Sequence, residues 1–231
     1  MITHRPSATR GHANHGWLDS FHSFSFADYH DPAHMGFRSL RVINEDRIAG
    51  GGGFPTHAHQ DMEIVTYLVD GALEHKDSTG TGAIILPGDA QRMSAGTGIR
   101  HSEFNASATA PAHLLQIWLL PNVQGIAPGY EQATLPNVPD GDSRLDTLAA
   151  QHGGAVTVRS DAVIHRATLA AGGHLNVPLT LGGHAWVQVV KGSATLGDLT
   201  LVPGDGAAVS GETALRLASV DGAELLVFDL A

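Results

Sequence analysis

The chain has 231 residues, with 23 acidic and 13 basic side chains, a formal net charge of −10 and no cysteine. This length allows one large all-β domain or two domains of roughly 100–130 residues, each able to bury a core. The acidic balance and the scarcity of Lys and Arg disfavour direct binding to nucleic acid. The absence of cysteine excludes disulfides, thiolate metal sites and thiol nucleophiles.

The N-terminal stretch lacks the apolar core of a signal peptide. The longest apolar segments, such as Leu114–Leu120 with Gln116 inside it, are far too short to span a bilayer. A chain without cysteine also suits a reducing compartment. We therefore expect a cytoplasmic protein without membrane association.

Short runs rich in Val, Ile, Leu and Thr alternate with Gly and Pro along the whole sequence. The clearest are Ile64–Val69, Ala83–Leu86, His113–Leu120, Ala185–Val190 and Glu224–Leu230. Short strands separated by regular turn signals are typical of an all-β sandwich or barrel. The one short helical turn that we expect lies within Asp142–Gln151.

A pattern in the first half of the chain returns in the second half. Tyr67–Gly71 is followed by Leu86–Asp89, and Gln188–Gly192 is followed by Val202–Asp205. Each half reads as a strand, a Gly turn, a second strand and a Pro-Gly-Asp turn, and Leu135–Asp142 has the composition of a linker. The repetition predicts two tandem β domains, residues 1–134 and residues 135–231.

Two histidine-bearing clusters about forty residues apart carry the chemistry: His57-Ala58-His59 and His101-Ser102-Glu103. On a β-strand, residues i and i+2 point to one face and lie about 6.6 Å apart. Two such strands would offer three imidazole nitrogens and one carboxylate oxygen to a single metal. A sulfur-free set suits Fe(II), Mn(II), Co(II), Ni(II) or Cu(II), and Zn(II) also accepts these ligands. Open coordination positions favour catalysis or ligand sensing over a structural role.

Neighbouring residues have simpler interpretations. A lone His-x-His pair in a chain with 15 histidines is commonly a surface feature. His113 and Gln116 precede Trp118 on a predicted strand, so we expect them to face the core or a cavity wall. Gly50–Gly53 is interpreted as a flexible lead into the His57 strand, because no Gly-Lys-Ser/Thr sequence follows it.

Longer motifs surround the two clusters. They are Gly51-x5-His57-x-His59-x3-Glu63, Gly98-x2-His101-x3-Asn105, Gly16–Tyr29 and Met35–Asp46. The first two resemble the sequence motifs of the cupin superfamily, and all four together are similar to the pirin family of bicupins over about residues 11–132. The chain departs from the cupin pattern in two places: seven residues separate Glu63 from Gly71, and Gly96 stands where proline is usual.

The resemblance implies two tandem jelly-roll β-barrels with an iron-type metal in the first. It also implies that the metal ligands are His57, His59, His101 and Glu103. In the wider cupins the carboxylate ligand is instead the glutamate of the first motif, which is Glu63 here. Because side chains alternate along a strand, Glu103 lies on the same face as His101, which favours Glu103 as the carboxylate ligand. Glu63 would then orient an imidazole.

The second half of the chain lacks a comparable set. It contains His165, His174 and His184 but no His-x-His pair, and Arg216 falls roughly where a counterpart of His101 would stand. We therefore expect a degenerate second barrel and a single metal in the first.

The resemblance implies a metal-dependent dioxygenase of flavonol-like enolic or phenolic compounds, of the quercetin 2,3-dioxygenase type. Dioxygen would be the second substrate and Glu103 the base that takes the hydroxyl proton. The alternative is a non-enzymatic redox or metabolite sensor, or a transcriptional co-regulator, that acts through protein partners; another cupin reaction such as isomerisation is a third. A deep pocket over the metal favours an enzyme, and a shallow site beside an exposed apolar patch favours a sensor.

Overall fold

The computed structural model describes residues 1–231 as 22 β-strands and one 3-10 turn at Ser7–Thr9. The strands are β1 (Ile2–Arg5), β2 (Gly11–Asn14), β3 (Leu18–His22), β4 (Leu40–Ile48), β5 (Gly53–His59), β6 (Glu63–Asp70), β7 (Leu73–Asp77), β8 (Gly82–Ile85), β9 (Asp89–Ser94), β10 (Ile99–Asn105), β11 (Ala112–Leu119), β12 (Gly129–Thr134), β13 (Arg144–Ala150), β14 (Val156–Thr157), β15 (Ala162–Leu169), β16 (His174–Pro178), β17 (His184–Gly192), β18 (Ala194–Leu196), β19 (Leu199–Leu201), β20 (Gly206–Ser210), β21 (Ala214–Ala218) and β22 (Ala223–Leu230). The all-β class is confirmed. No helix has the length and apolar character that a membrane span requires.

The five predicted apolar runs correspond to β6, β8, β11, β17 and β22, with ends that differ by at most two residues. The predicted helical turn within Asp142–Gln151 is wrong. Arg144–Ala150 forms β13, which pairs antiparallel with β15. Pairing with a neighbouring strand outweighs the weak local preference of so short a segment.

The strands form two sandwiches, each with one seven-stranded and one four-stranded sheet. The first barrel has the orders β12-β9-β6-β11-β4-β3-β2 and β5-β10-β7-β8, and the second has β1-β20-β17-β22-β15-β13-β14 and β16-β21-β18-β19. The central order β9-β6-β11-β4 of the first barrel therefore returns as β20-β17-β22-β15 in the second. This is the tandem two-barrel architecture expected from the repeated turns.

One strand departs from the expected division of the chain at residue 135. β1 lies within residues 1–134, yet it pairs with β20 at the edge of the second barrel. The turn after β1 is anchored there too, because Asp205 accepts a hydrogen bond from the Ser7 backbone N–H at 2.7 Å. Residues near the N-terminus thus complete the sheet of the second barrel.

The two Pro-Gly-Asp turns have the same local structure. Gly88 and Gly204 have φ values of +90° and +84°, which the third position of a type II turn requires. Asp89 and Asp205 each accept a hydrogen bond from the backbone N–H three residues earlier, at 3.0 and 3.1 Å. The sequence repeat is therefore a structural repeat.

The two barrels meet through their large sheets. The largest hydrophobic cluster contains 22 buried residues from both, including Val65 and Ile117 of the first barrel and Ile164 and Phe228 of the second. Because side chains alternate along a strand, the odd-numbered residues of β6 and β11 face this interface and the even-numbered ones face the interior of the first barrel. Chemistry inside the barrel must come from the even-numbered set on these strands.

Candidate metal centre

Three of the four proposed ligands meet on adjacent strands of the small sheet. His57 on β5 lies directly opposite His101 on β10, and their ring centroids are 4.4 Å apart. His59 completes the triangle, with centroid distances of 4.7 Å to His57 and 4.9 Å to His101. One nitrogen from each ring lies within 4.8 Å of the others.

A β-bulge next to His57 helps to aim its ring. The pairing steps from His57–His101 to Phe54–Glu103, so β5 carries one extra residue in the stretch that includes Pro55. Proline has no N–H to donate to the ladder and is tolerated at bulges. The Pro55 carbonyl accepts a hydrogen bond from His57 Nδ1 at 2.8 Å, which leaves Nε2 of that ring available to a metal.

His101 is the most enclosed of the three histidines. Its side chain is buried, and neither ring nitrogen has a hydrogen-bond partner in the protein. Burial and the neighbouring His57 and His59 lower the pKa of His101 to about 3. Burial, with His57, also lowers the pKa of His59 to about 4. Neutral imidazole is the form that binds metals, and buried unpaired nitrogens fit a cation at this position.

Glu103 lies beside the histidines and is held in place by a glutamine. Both of its carboxylate oxygens accept hydrogen bonds from Gln116 Nε2, at 3.1 and 2.9 Å. Gln116 is itself fixed, because its Oε1 accepts a hydrogen bond from Thr66 at 2.8 Å. Burial raises the pKa of Glu103 to about 7, although the bonds from Gln116 favour the carboxylate.

Two residues that the sequence analysis missed stand next to this group. His75 on β7 lies opposite Glu103, and its ring centroid is 5.3 Å from that of His101. Its Nε2 hydrogen-bonds Asp77 at 3.0 Å, and both side chains are fully buried. One donor atom each of His75, His101 and Glu103 lies within 4.8 Å of the others. The signal available in the sequence was the i, i+2 spacing of His75 and Asp77 on the strand after the Gly71 turn.

Glu63 lies elsewhere. It is an odd-numbered residue of β6, so its side chain points away from the barrel interior and accepts a hydrogen bond from the Arg159 backbone N–H of the second barrel at 3.0 Å. This position corrects the expectation that Glu63 orients an imidazole of the metal cluster. Its pKa is raised by burial in the interface between the barrels. His113, also odd-numbered, faces outward and bonds Glu45 at 2.9 Å.

A continuous line of polar side chains crosses the inner face of the large sheet. This polar row has one member from each of six neighbouring strands, every one directly opposite the next: His22, Asn44, Gln116, Thr66, Gln91 and Gln132. All but Gln132 are buried. Side chains of this kind are rarely placed in a core without partners or a function.

His57, His59 and three members of the polar row (His22, Asn44 and Gln116) line a cavity of about 870 Å³. Its lining includes His57, His59 and Glu103 together with Gln116. Aromatic side chains form much of the remaining wall: Trp17, Phe26, Tyr29, Phe54 and Trp118. A pocket of this size, apolar with a few convergent polar groups, is typical of a small-molecule site.

Comparison with known proteins agrees with this architecture. A model of the Pirin family matches residues 3–119, and one described as the quercetinase C-terminal cupin domain matches residues 148–230. The chain belongs to the pirin family. Its barrels are therefore of the cupin type, and the sequence resemblance is confirmed.

Full-length relatives extend this comparison. The chain is 45% identical over its whole length to a protein of Escherichia coli (strain K12) named quercetin 2,3-dioxygenase, and the match covers 99% of that protein. It is 38% identical to a pirin-like protein of Caulobacter vibrioides, with both chains fully covered. The crystal structure of the bacterial pirin YhhW from Escherichia coli in complex with nickel(II) superimposes with a TM-score of 0.92, at 43% identity, covering 100% of this chain and 99% of that one.

The donor set of this chain fits a divalent transition metal. Two overlapping triads meet at His101, one with His57 and His59 and one with His75 and Glu103, and such imidazole and carboxylate donors without sulfur are ligands that Fe(II), Co(II), Ni(II) and related ions accept. The two unpaired nitrogens of buried His101 are the clearest structural sign of such a site. The first barrel of this pirin-family chain therefore contains a candidate His/Glu metal site at the wall of its cavity.

Proposed function

We propose that this protein is a metal-dependent dioxygenase that opens flavonol-like enolic compounds. The metal, Fe(II) in the first instance, would be held by His57, His59, His101 and Glu103. The observation that carries the proposal is a cavity lined by most of this set and walled by aromatic rings. The sensor alternative expects a shallow site beside an exposed apolar patch, so a cavity of this volume favours an enzyme.

A bound metal would supply Lewis acidity and a template for the substrate oxygen. The protein would supply the base, because a Glu103 carboxylate oxygen can take the proton of the enolic hydroxyl. Gln116 holds that carboxylate in one orientation through both oxygens. Trp118 and Phe26, whose ring centroids are 5.3 Å apart in an edge-to-face contact, would pack against a flat substrate and exclude water.

In the reaction of this type, dioxygen adds to the electron-rich flavonolate and the heterocycle opens with loss of one carbon as carbon monoxide. Electrons come from the substrate itself, so no separate reductant is consumed. The requirement on the protein is therefore deprotonation, orientation and enclosure, which Glu103, Gln116 and the aromatic walls provide.

Replacing Glu103 by glutamine tests the proposal. An amide cannot take the hydroxyl proton, so Glu103→Gln should reduce quercetin turnover by roughly 10²- to 10⁴-fold. Loss of flavonol absorbance should be measured together with carbon monoxide release, because free metal ions oxidise flavonols slowly without that product. Bound metal should be quantified in the same samples, so that a lost base is separated from a lost ligand.

Glu74→Gln is the matched control, since Glu74 lies on β7 next to Glu103's strand and pairs with Lys76 at 2.8 Å outside the barrel. It should leave turnover unchanged. If protein loaded with Fe, Mn, Co, Ni or Cu never exceeds the corresponding metal-only control, the dioxygenase proposal is wrong.

A further inference from the structure

Asp46 is a buried carboxyl group inside the first barrel that the proposed reaction does not use. It lies on β4, opposite Ser20 of β3 and Leu114 of β11. It is 3% exposed and lines the same cavity as Glu103. Ser20 Oγ donates to Asp46 Oδ1, and this is the one hydrogen bond that the side chain receives. One oxygen of a buried carboxyl group therefore has no donor in the protein.

The acceptor oxygens of the two nearest polar side chains, Asn44 and Gln116, are both engaged. In the next pair along the same two strands, Asn44 Oδ1 is engaged by a 2.8 Å hydrogen bond with His22 Nδ1. Gln116 is engaged at both ends, by Thr66 and by Glu103. Among the cavity-lining side chains of β3, β4 and β11, Asp46 is the one with a carboxyl or amide oxygen that no group donates to; Gln91 Oε1, which also has no donor, lies on β9 and does not line the cavity.

Strand geometry gives the separation between Asp46 and Gln116, the residue that holds Glu103. Gln116, which holds Glu103, stands opposite Asn44, so Gln116 and Asp46 are diagonal neighbours on one face. Such neighbours are separated by about 7–8 Å. This is roughly the width of a fused two-ring system, so a planar substrate anchored beside Glu103 can reach Asp46 with its remote ring.

Burying the carboxyl group of Asp46 is also unfavourable for folding. Burial raises the pKa of Asp46 to about 7, because the ionised form loses its hydration. In the second barrel, Ala167 stands at the position of Asp46, and Leu145, which lies opposite Ala167, stands at the position of Ser20. The barrel architecture thus forms without an acidic residue here.

We propose that Asp46, held by Ser20, accepts a hydrogen bond from a second hydroxyl group of the substrate. This inference rests on the proposed function and narrows its substrate class. The preferred substrates are ring systems with an additional hydroxyl group on the ring remote from the enol, and compounds that have only the enol bind more weakly.

Binding to nickel-loaded protein without dioxygen tests the inference separately from turnover. The ligands are 3-hydroxyflavone and analogues with one added hydroxyl group on the remote ring, titrated by calorimetry or by quenching of tryptophan fluorescence. At pH 8, where Asp46 is largely ionised, at least one analogue should bind the wild-type protein about tenfold or more tightly than 3-hydroxyflavone, as expected for a hydrogen bond to a charged group. Asp46→Asn should remove that gain, because Ser20 occupies the amide oxygen and the NH₂ group cannot accept. Asp70→Asn, at an exposed strand end, should retain it.

The outcomes separate the two proposals. A gain that survives unchanged in Asp46→Asn overturns the role of Asp46, and so does a wild-type protein that binds 3-hydroxyflavone as tightly as every analogue. If no ligand of the series binds at all, the flavonol function and this inference are both wrong. Should Asp46→Asn fail to fold, Ser20→Ala provides the second variant: it should lower the gain severalfold by releasing the carboxyl group, and an unchanged gain contradicts the inference.

Discussion

The two barrels share a strand order but differ inside. Positions in the two barrels can be matched by counting residues from Gly71 and Gly192 and from the two Pro-Gly-Asp turns. Residues that pair with these positions on the neighbouring strand are then matched through the sheet register. In this way the polar residues Thr66, Gln91 and Gln116 of the first barrel correspond to Val187, Ala207 and Val227 of the second. The second interior is a single cluster of 16 buried apolar residues, whereas the first is divided into clusters of six and four on either side of the polar row.

The candidate metal ligands of the first barrel also correspond to apolar residues in the second. Glu103 stands opposite His75, four residues after the Gly71 turn, and Leu217 stands opposite Leu196, four residues after the Gly192 turn. His57 and His101 likewise correspond to the opposed pair Val177 and Leu215. The counterpart of His101 is thus Leu215, and the expectation of Arg216 is wrong by one residue, because alternation turns Arg216 outward to solvent.

This comparison teaches that the barrel needs no polar interior to fold. Aliphatic side chains close the second barrel, and polar ones keep a cavity in the first. Substitutions in either barrel and at their interface should therefore have separable effects on metal binding and on stability.

Removing a ligand should abolish tight metal binding in the first barrel only. His101→Ala should weaken metal affinity by more than about 100-fold, since loss of an outer partner alone typically costs 10- to 100-fold. His165→Ala, at a half-buried histidine of the second barrel, should leave one metal per chain. Titration calorimetry with elemental analysis measures both. Two tightly bound metals in the wild-type chain would contradict the difference between the barrels.

Truncating a core residue of the second barrel should lower stability and leave metal binding intact. Leu217→Ala should lower the free energy of unfolding by about 2–5 kcal/mol, because it removes packed methyl groups and leaves a cavity. Metal stoichiometry should not change. Chemical denaturation followed by fluorescence, with metal analysis of the folded variant, provides the measurement, and a loss of metal without a loss of stability would reverse our assignment.

Asp46→Asn should stabilise the metal-free protein at high pH. The pKa of Asp46 rises from 3.8 to about 7 on folding, so the folded state binds its proton more tightly and stability falls as pH rises through that interval. The variant lacks this loss, and its advantage should be about 4 kcal/mol near pH 8 and vanish towards pH 4. Denaturation curves at several pH values measure the difference; an advantage that does not depend on pH would show that ionisation is not its cause.

The smallest effect should come from the interface between the barrels. Glu63→Ala leaves the Arg159 N–H without its acceptor, which should cost about 1 kcal/mol of unfolding free energy. It should not change metal stoichiometry, in contrast to Glu103→Ala. Loss of metal in Glu63→Ala would restore the glutamate of the first motif as the ligand.

Period-two patterns and turn residues predicted much of this molecule. The Gly and Pro-Gly-Asp turns predicted two similar barrels because they impose backbone conformations wherever they occur. The i, i+2 spacing of His57 and His59, and of His101 and Glu103, indicated which side chains share a face. Local patterns of this kind can be interpreted without knowing which strands pair.

Local patterns did not predict which strands pair with each other. The sequence did not indicate that β1 joins the second barrel, that β13 is a strand, or that Gln116 holds Glu103. Each depends on contacts between segments distant in the chain, and a segment of four to seven residues carries too little local preference to specify its neighbour.

The sequence by itself determined the all-β class, the tandem repeat and the candidate donors, because each follows from residue identity and short-range spacing. Only the tertiary structure decided the face of the sheet on which each carboxyl group lies. That decision places Glu103 and Asp46 in the cavity and Glu63 in the interface. The physical reason is that a one-residue change of register reverses every side chain of a strand, and register is set by pairing and burial rather than by the strand alone.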